Sequence, residues 1–313
     1  MLTGSQALTP APSPSKVSAH FTDSPTTMRS RLPAFARLMR LDKPIGTLLL
    51  LWPTLWGLWF ASNGHPDPML LLIFCLGTFL MRAAGCLIND YCDRDFDGHV
   101  ERTNKRPLVS GEVKPKEALL LAAVLLLAAL VLVLPLNRLT LLLTIPAAFL
   151  AATYPLTKRF LPLPQAYLGI AYSFGIPMAF AAQTGSVPAF AWILLLANLL
   201  WTVAYDTEYA MVDRPDDLKI GIKTSAITFG RFDVTAVMLC FTGFIALMAW
   251  LGLESQRGMV YFISLLIASG LIAQQYSQIM AREPAACFKA FLSNNRVGAV
   301  IFMGLVLDYG LSH

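Results

Sequence analysis

Charged residues are scarce in this sequence of 313 residues. Asp, Glu, Lys and Arg make up 14% of it, whereas about a quarter of the residues of a soluble domain are charged. The mean hydropathy is correspondingly positive, at +0.59. This shortage of charge excludes an ordinary soluble domain and indicates an all-α, polytopic membrane protein that lies in a lipid bilayer.

Metal-binding and nucleophilic patterns of cysteine and histidine are also missing. The five cysteines include no CxxC pair and no histidine companion at metal-ligand spacing, so we interpret them as small apolar residues. None of the four histidines has the neighbours of a catalytic triad, and we expect none of them, including His99, in a functional site. The chemistry must therefore come from other residues.

Apolar stretches of about 20 residues, the length that a helix needs to cross ~30 Å of hydrocarbon, recur along the chain. Nine of them are predicted to be transmembrane helices: residues 45–62, 68–89, 117–136, 139–156, 164–182, 187–205, 234–252, 258–279 and 290–308. Residues 1–36 are rich in Ser, Thr and Pro, which predicts a disordered N-terminal extension and not a signal peptide. Residues 37–313 form the predicted transmembrane domain.

The distribution of basic residues predicts the orientation of these spans. If the N-terminus is cytoplasmic, all 24 Lys and Arg residues lie inside except Arg138 and Arg257, which lie outside, and Arg82, which lies within the second span. This asymmetry follows the positive-inside rule. It predicts a cytoplasmic N-terminus and an external C-terminus, and it accounts for the net charge of +5 without a nucleic-acid partner.

An acidic stretch follows the second span and reads NDYCDRDFDGHVERTNKRPL, residues 89–108. Carboxylates spaced this closely repel one another unless a cation lies among them. At about 100° per residue, Asp90, Asp93 and Asp97 share one face of a helix, with Asn89 at its edge. Three basic residues follow the acids: Arg102, Lys105 and Arg106.

A second charged stretch, YDTEYAMVDRPDDLKIGIKTSAITFGR, covers residues 205–231 after the sixth span. Asp206, Asp213 and Asp217 fall within a sector of ~40° on a helix, and Lys219 and Lys223 follow them. Both stretches lie at cytoplasmic helix ends. This arrangement suggests two similar halves that face each other across a central cavity.

Arg82 lies seven residues before Asn89, on the same helix face and about two turns deeper. A guanidinium within a span usually marks a substrate or ion path, and a structural ion pair with an aspartate is the alternative. Monodentate aspartates suit Mg²⁺, which also binds phosphate oxygens. Because Arg and Lys neutralise phosphate charge, the two stretches together predict a site for Mg²⁺ and a diphosphate, whereas either stretch alone is typical of a solvated loop.

The same residues carry a resemblance to a known family. NDYCDRDFD and DRPDD match the NDxxDxxxD and DxxxD motifs of the UbiA superfamily of intramembrane prenyltransferases. The similarity extends from about residue 37 to the C-terminus through LMRLDKPIGTLLLLWPTLWGLW, NKRPL, YPLTKR and DDLKIGIKT. The chain resembles most the branch that prenylates 4-hydroxybenzoate on the ubiquinone pathway.

The resemblance implies a bundle of nine helices around a central cavity in the bacterial inner membrane, with the active site facing the cytoplasm. It implies that Mg²⁺ bridges the diphosphate of a polyprenyl donor and is held by Asn89, Asp93, Asp97, Asp213 and Asp217. Basic residues at matching positions would contact the diphosphate or the carboxylate of the acceptor: Arg94, Lys158 and Arg159. Asp206 occupies a motif position near the substrates, and the ring of Tyr154 would support an allylic cation.

The expected reaction transfers the polyprenyl group to the carbon ortho to the hydroxyl of 4-hydroxybenzoate, in a site shielded from water. Two alternatives stay open. One is the same chemistry with another aromatic acceptor, such as homogentisate, a naphthoate or haem. The other is a secondary transporter, although a carrier places its charged ligands near the membrane midplane, whereas both acidic stretches here lie on one side.

Overall fold

The structure, a computed structural model, describes residues 28–98 and 102–311. Within these two ranges the chain is all-helical, without a β-strand, which confirms the predicted fold class. The α-helices are α1 (Met28–Leu38), α2 (Ile45–Ala61), α3 (Pro68–Asp97), α4 (Pro115–Val133), α5 (Arg138–Thr157), α6 (Pro164–Ser173), α7 (Gly175–Thr184), α8 (Ala189–Ile220), α9 (Ser225–Phe229), α10 (Asp233–Glu254), α11 (Met259–Ile279) and α12 (Pro284–Leu311). A 3₁₀-helix, Gly230–Phe232, joins α9 to α10.

Seven helical segments are long and apolar enough to cross a membrane: α3, α4, α5, α8, α10, α11 and α12. The most apolar windows of α4 and α5 are only 17% and 11% buried within the protein. Their side chains therefore point outward, as those of helices in contact with lipid do. The chain is a multi-pass membrane protein.

Two of the nine predicted spans differ from this pattern. The first, α2, has 17 residues. The fifth, residues 164–182, is divided at Phe174 into α6 and α7, which have 10 residues each. Pro177 has no N–H with which to continue the helix from α6, and Gly175 packs so closely on Thr54 that a Cβ would collide with the threonine hydroxyl. The count of nine spans stays a prediction.

The predicted N-terminal extension ends in ordered structure. Residues 1–27 and His99 lie outside the described residues, but residues 28–36 belong to α1 and are not a disordered segment. Ala34 and Leu38, one helical turn apart, are 5% and 0% exposed and pack in a cluster with Leu87. Composition alone missed this helix because a short amphipathic helix draws its stability from tertiary packing.

The centre of the bundle is α8, which packs against α6, α10 and α12. Trp201 of α8 lies in an aromatic cluster with Trp56 and Phe244, and the ring centroids of Trp56 and Trp201 are 5.2 Å apart. The helix continues past this apolar core into the second acidic stretch, just as α3 continues into the first. Packing of the apolar parts thus holds the two acidic helix ends in place.

Candidate active site

A cavity of about 130 Å³ lies where the acidic ends of α3 and α8 meet. Residues from α5, from the start of α6 and from the loops that follow α3 and α8 complete its wall. Its charged lining consists of five carboxylates and three cationic groups: Asp93, Asp97, Asp206, Asp213, Asp217, Arg102, Arg106 and Lys158. Tyr154 also lines it. The structure therefore brings together residues from both acidic stretches, which are more than 100 positions apart in the chain.

Asp93 of α3 is held by Lys158, which follows the last residue of α5. The Lys158 Nζ lies 2.9 Å from the Asp93 Oδ2 and 3.3 Å from the Asn89 Oδ1. Asn89 itself donates to the Asp93 Oδ2 over 3.1 Å. Burial lowers the pKa of Lys158, but the neighbouring Asp93 carboxylate outweighs that effect and leaves the pKa raised. The ammonium group is therefore charged.

Asp97, at the end of α3, is held by Arg106 from the following loop. The Arg106 Nη1 lies 2.5 Å from the Asp97 Oδ2. Burial raises the pKa of Asp97, while Arg106 opposes this rise. Asp90 belongs to the same acidic stretch but is not part of the cavity wall. It is buried behind the wall, against Arg40 and Arg106.

Asp213 of α8 pairs with Arg102 from the other side of the cavity. The Arg102 Nη2 and Nε lie 2.5 and 3.0 Å from the two carboxylate oxygens. The same guanidinium lies 4.6 Å from the centre of the Tyr209 ring and donates to the Tyr209 hydroxyl. Because Asp206 and Asp217 lie on the same wall as Asp213, α8 presents its three acids on one face.

The donor set of the cavity fits Mg²⁺. Hard carboxylate and amide oxygens are the ligands that this ion prefers, and five carboxylates outnumber the three cations on the wall. Within the described ranges, no three acidic, cysteine or histidine side chains converge on one point. The reason is visible in the contacts: Asp93, Asp97 and Asp213 each pair with a basic side chain. A metal at this site would compete with those basic side chains for the carboxylates.

Arg82 lies deeper in α3 and outside the cavity wall. Its Nη1 donates to the hydroxyl of Tyr172 over 2.7 Å, and its Cζ lies 5.9 Å from the centre of that ring. The structure therefore pairs Arg82 with a tyrosine, and not with one of the aspartates.

Several other predicted basic residues lie outside the cavity wall as well. Arg94 and Arg159 donate to backbone carbonyl groups of α3, over 2.8 Å to Tyr91 and 2.9 Å to Cys92. The remaining three are exposed lysines: Lys105, Lys219 and Lys223. Lys219 lies 3.1 Å from Asp216, and Lys223 donates to the carbonyl of Phe160 over 3.0 Å.

The cavity wall also contains residues that the sequence patterns did not single out: Thr103, Gln165, Tyr209, Ala210, Ile222 and Thr224. Tyr209 follows Asp206 by three positions, so helical phasing on α8 would have placed it on the acidic face. Gln165 accepts a hydrogen bond from the backbone N–H of Ser225 over 2.8 Å. No sequence pattern indicates this long-range contact.

Comparison with known proteins adds relatives to this geometry. The chain matches the UbiA prenyltransferase family over residues 50–303. It is 64% identical over 282 residues to the 4-hydroxybenzoate octaprenyltransferase of Nitrosomonas eutropha, which covers 90% of this chain and 99% of that protein. The enzyme of the same name from Aromatoleum aromaticum is 64% identical over 286 residues, covering 91% of this chain and 97% of that protein.

Solved structures share the fold. The apo structure of a UbiA homolog from Aeropyrum pernix K1 superimposes with a TM-score of 0.75 at 25% identity, covering 84% of this chain and 97% of that chain. A UbiA homolog from Archaeoglobus fulgidus, bound to DMAPP and Mg²⁺, superimposes with a TM-score of 0.68 at 21% identity, covering 89% of this chain and 99% of that chain. The helical arrangement described above is therefore that of solved membrane proteins.

Proposed function

The chain belongs to the UbiA prenyltransferase family, and we propose that it transfers the polyprenyl group of a polyprenyl diphosphate to 4-hydroxybenzoate. The product is 3-polyprenyl-4-hydroxybenzoate, and the pathway is ubiquinone biosynthesis. The observation that carries this proposal is the meeting of five carboxylates and three cationic groups at one cavity. A diphosphate needs both: carboxylates hold a divalent cation, and guanidinium or ammonium groups bind the phosphate oxygens directly.

We assign Mg²⁺ to the oxygen atoms of Asn89, Asp93, Asp97, Asp213 and Asp217. When bound, Mg²⁺ stabilises negative charge on the leaving diphosphate. Asn89 contributes through its amide oxygen, which at present accepts from Lys158. Asp206 lines the same cavity and supports the negative potential that attracts the cation.

The basic side chains on the wall act on the diphosphate itself. Arg102, Arg106 and Lys158 already lie at the cavity, each beside a carboxylate. When the allylic C–O bond breaks, its electron pair goes to the bridging oxygen, and these three groups stabilise the charge that develops there. Because they are in place before the reaction, little reorganisation is needed.

Bond cleavage leaves an allylic cation, which must meet the aromatic ring before it meets water. Tyr154 lines the cavity and offers its π face to that cation. The ring carbon ortho to the hydroxyl of 4-hydroxybenzoate attacks and forms the new C–C bond. The ring then loses a proton to the released diphosphate or to an aspartate, which restores aromaticity.

Arg82 is a candidate partner for the carboxylate of the acceptor. Its Nε is buried and has no hydrogen-bond partner in the part of the chain that the structure describes. A buried guanidinium donor is costly unless something accepts from it. Arg94, Arg159, Lys105, Lys219 and Lys223 lie outside the cavity wall, and a role for them in binding requires the substrates to extend beyond it.

We also propose the complete topology: nine passes through the bacterial inner membrane, with the N-terminus and the active site on the cytoplasmic side. In addition to the seven long apolar segments, α2 supplies one pass and α6 with α7 supply another. The polyprenyl tail then enters from the bilayer, where each buried CH₂ is favourable by about 0.8 kcal/mol. The two arginines outside would be Arg138 and Arg257.

The test is an assay with purified protein in lipid nanodiscs, a defined prenyl diphosphate and 4-hydroxybenzoate. We expect 3-prenylated product with Mg²⁺ and none after chelation. The Asp93→Asn variant should lose activity. Asp95→Asn is its matched control, because the Asp95 side chain is 74% exposed and pairs with Arg94 outside the cavity wall. Prenyl transfer that continues without divalent cation, or that is equally sensitive to both substitutions, would contradict the proposed site.

The acceptor is tested separately by competition. Homogentisate and a naphthoate are added with 4-hydroxybenzoate at equal concentration, and the prenylated products are separated by mass. We expect the 4-hydroxybenzoate product to dominate. A different dominant product would replace the acceptor and leave the prenyl transfer chemistry intact.

A further inference from the structure

The aspartates of α3 fall into two classes by their surroundings. Asp93 and Asp97 line the cavity, whereas the Asp90 side chain is only 1% exposed and lies behind the wall. Both Asp90 oxygens lie 2.8 Å from the Arg40 Nη2, and its Oδ1 also lies 2.9 Å from the Arg106 Nη1. A buried carboxylate is tolerated only when it is paired and hydrogen-bonded. Two guanidinium groups meet that need at Asp90.

Arg40 reaches Asp90 from a backbone conformation that few residues other than glycine adopt. It lies in the turn after α1 with φ at 59°, in the left-handed region. Its Nη1 donates to the carbonyl of Arg37 over 3.0 Å, while its Nη2 remains with Asp90. Such backbone strain persists only where surrounding contacts overdetermine it. The ion pair with Asp90 is one of those contacts.

Arg106 connects Asp90 to the cavity. Its Nη1 lies between two carboxylates, 2.9 Å from the Asp90 Oδ1 and 2.5 Å from the Asp97 Oδ2. Its backbone N–H is held by the carbonyl of Thr103 over 3.0 Å. Arg106 lines the cavity and Asp90 does not. Asp90 therefore supports from behind a guanidinium that faces the substrate site.

The charges of this group explain why Arg40 is needed. Arg106 alone would face two carboxylates with one positive charge, and much of its attraction would be spent on Asp90. Arg40 contacts both Asp90 oxygens and supplies the second positive charge. Arg106 is then fixed in place but retains charge for Asp97 or for a phosphate oxygen. Neither Arg40 nor Asp90 touches the cavity.

We propose that Asp90 is a positioning residue for diphosphate binding: with Arg40, it holds Arg106 at the cavity wall, and it is not a ligand of the metal. This inference rests on the proposed function, since it assumes that the cavity binds diphosphate. To ligate a metal, Asp90 would have to leave two guanidinium groups and move into the cavity.

The chain offers a matched control in a second buried carboxylate held by two arginines. Asp233, at the start of α10, is 0% exposed and lies 3.1 Å from the Arg214 Nη1 and 2.7 Å from the Arg282 Nη2. None of these three residues lines the cavity. Asp233→Asn therefore reproduces the loss of a buried two-arginine ion pair without altering the wall.

The experiment measures donor binding and metal response separately, with geranyl diphosphate as donor. For Asp90→Asn and Arg40→Gln we expect the KM for the donor to rise on the order of tenfold, as loss of one well-placed charge-assisted hydrogen bond predicts. The Mg²⁺ concentration for half-maximal activity should stay at the wild-type value. Arg40→Lys keeps the charge and should recover part of the KM. Asp233→Asn should lower the melting temperature and leave the donor KM unchanged.

A second readout does not depend on turnover. Inorganic diphosphate with Mg²⁺ should raise the melting temperature of the wild-type protein, and this shift should shrink in Asp90→Asn and Arg40→Gln but not in Asp233→Asn. If Asp90→Asn instead raises the half-maximal Mg²⁺ concentration as Asp93→Asn does, Asp90 is a ligand and the inference is overturned. An unchanged KM and an unchanged thermal shift in Arg40→Gln would overturn it too. Wild-type protein that binds diphosphate but transfers no prenyl group would reject the proposed function alone.

Discussion

Lys158 provides a sharp test of how the cavity manages its charges, because the structure predicts opposite effects on two quantities when it is replaced by methionine. The Lys158 Nζ lies 2.9 Å from the Asp93 Oδ2 and 3.3 Å from the Asn89 Oδ1. Methionine keeps the length of the side chain but removes the charge and all three donors. It should weaken diphosphate binding, and it should free Asp93 for Mg²⁺.

The magnitude follows from the burial of the pair. The side chains of Lys158 and Asp93 are 24% and 10% exposed, so solvent screens their interaction only in part. A hydrogen bond to a charged group contributes about 1.5–3 kcal/mol. If Lys158 makes such a bond to the diphosphate in the transition state, kcat/KM should fall by about 100-fold, since about 1.4 kcal/mol corresponds to a factor of ten.

The assay compares Lys158→Met with the wild-type protein and with Lys116→Met, which alters an exposed lysine at the start of α4. Initial rates with varied donor give kcat/KM, and thermal melting with varied Mg²⁺ gives the apparent metal affinity. We expect a lower kcat/KM and a tighter Mg²⁺ response in Lys158→Met, and no change in Lys116→Met. A variant with wild-type kcat/KM, or with weaker Mg²⁺ binding, would refute the reasoning that this lysine exchanges a carboxylate for a phosphate.

Three further predictions concern the metal, a buried ion pair and helix packing. Chelation of divalent cations should abolish transfer and added Mg²⁺ should restore it, as measured by product formation. Asp233→Asn should lower the free energy of unfolding by about 2 kcal/mol, less than the 3–5 kcal/mol of a fully buried pair, because Arg214 and Arg282 are 30% and 40% exposed; thermal melting in detergent checks this. Gly304→Ala should cost about 1–3 kcal/mol through overpacking, because a Cβ there would collide with the Ser264 side chain; an unchanged melting temperature would contradict this packing.

Much of the fold and of the acidic wall follows from local patterns. Apolar length predicted the long helices, and helical phasing placed Asp206, Asp213 and Asp217 on one face of α8, where the structure has them on one cavity wall. The same phasing grouped Asp90 with Asp93 and Asp97. The structure instead places Asp90 behind the wall, because its partner Arg40 lies 50 positions away and no local pattern reveals that contact.

The basic residues show the limit more clearly. Arg102, Arg106 and Lys158 line the cavity, whereas Lys105, Lys219 and Lys223 are exposed. All six lie next to or between the same motifs, and their chemistry is similar. Only the path of the loops after α3, α5 and α8 determines which side chains point inward. Long flexible side chains are therefore poorly predicted from spacing, although carboxylates close to a helix axis are predicted well.

The sequence by itself determined the membrane class, the helical content and the two rows of acids, because these depend on apolar length and on a repeat of 3.6 residues, both of which are local properties. The tertiary structure alone decided which cation faces each aspartate, that α6 and α7 are separate helices, and that residues 28–36 join α1. Those outcomes depend on contacts between residues far apart in the chain. Such contacts form only when the bundle closes, and the desolvation of each charge then determines which partner it keeps.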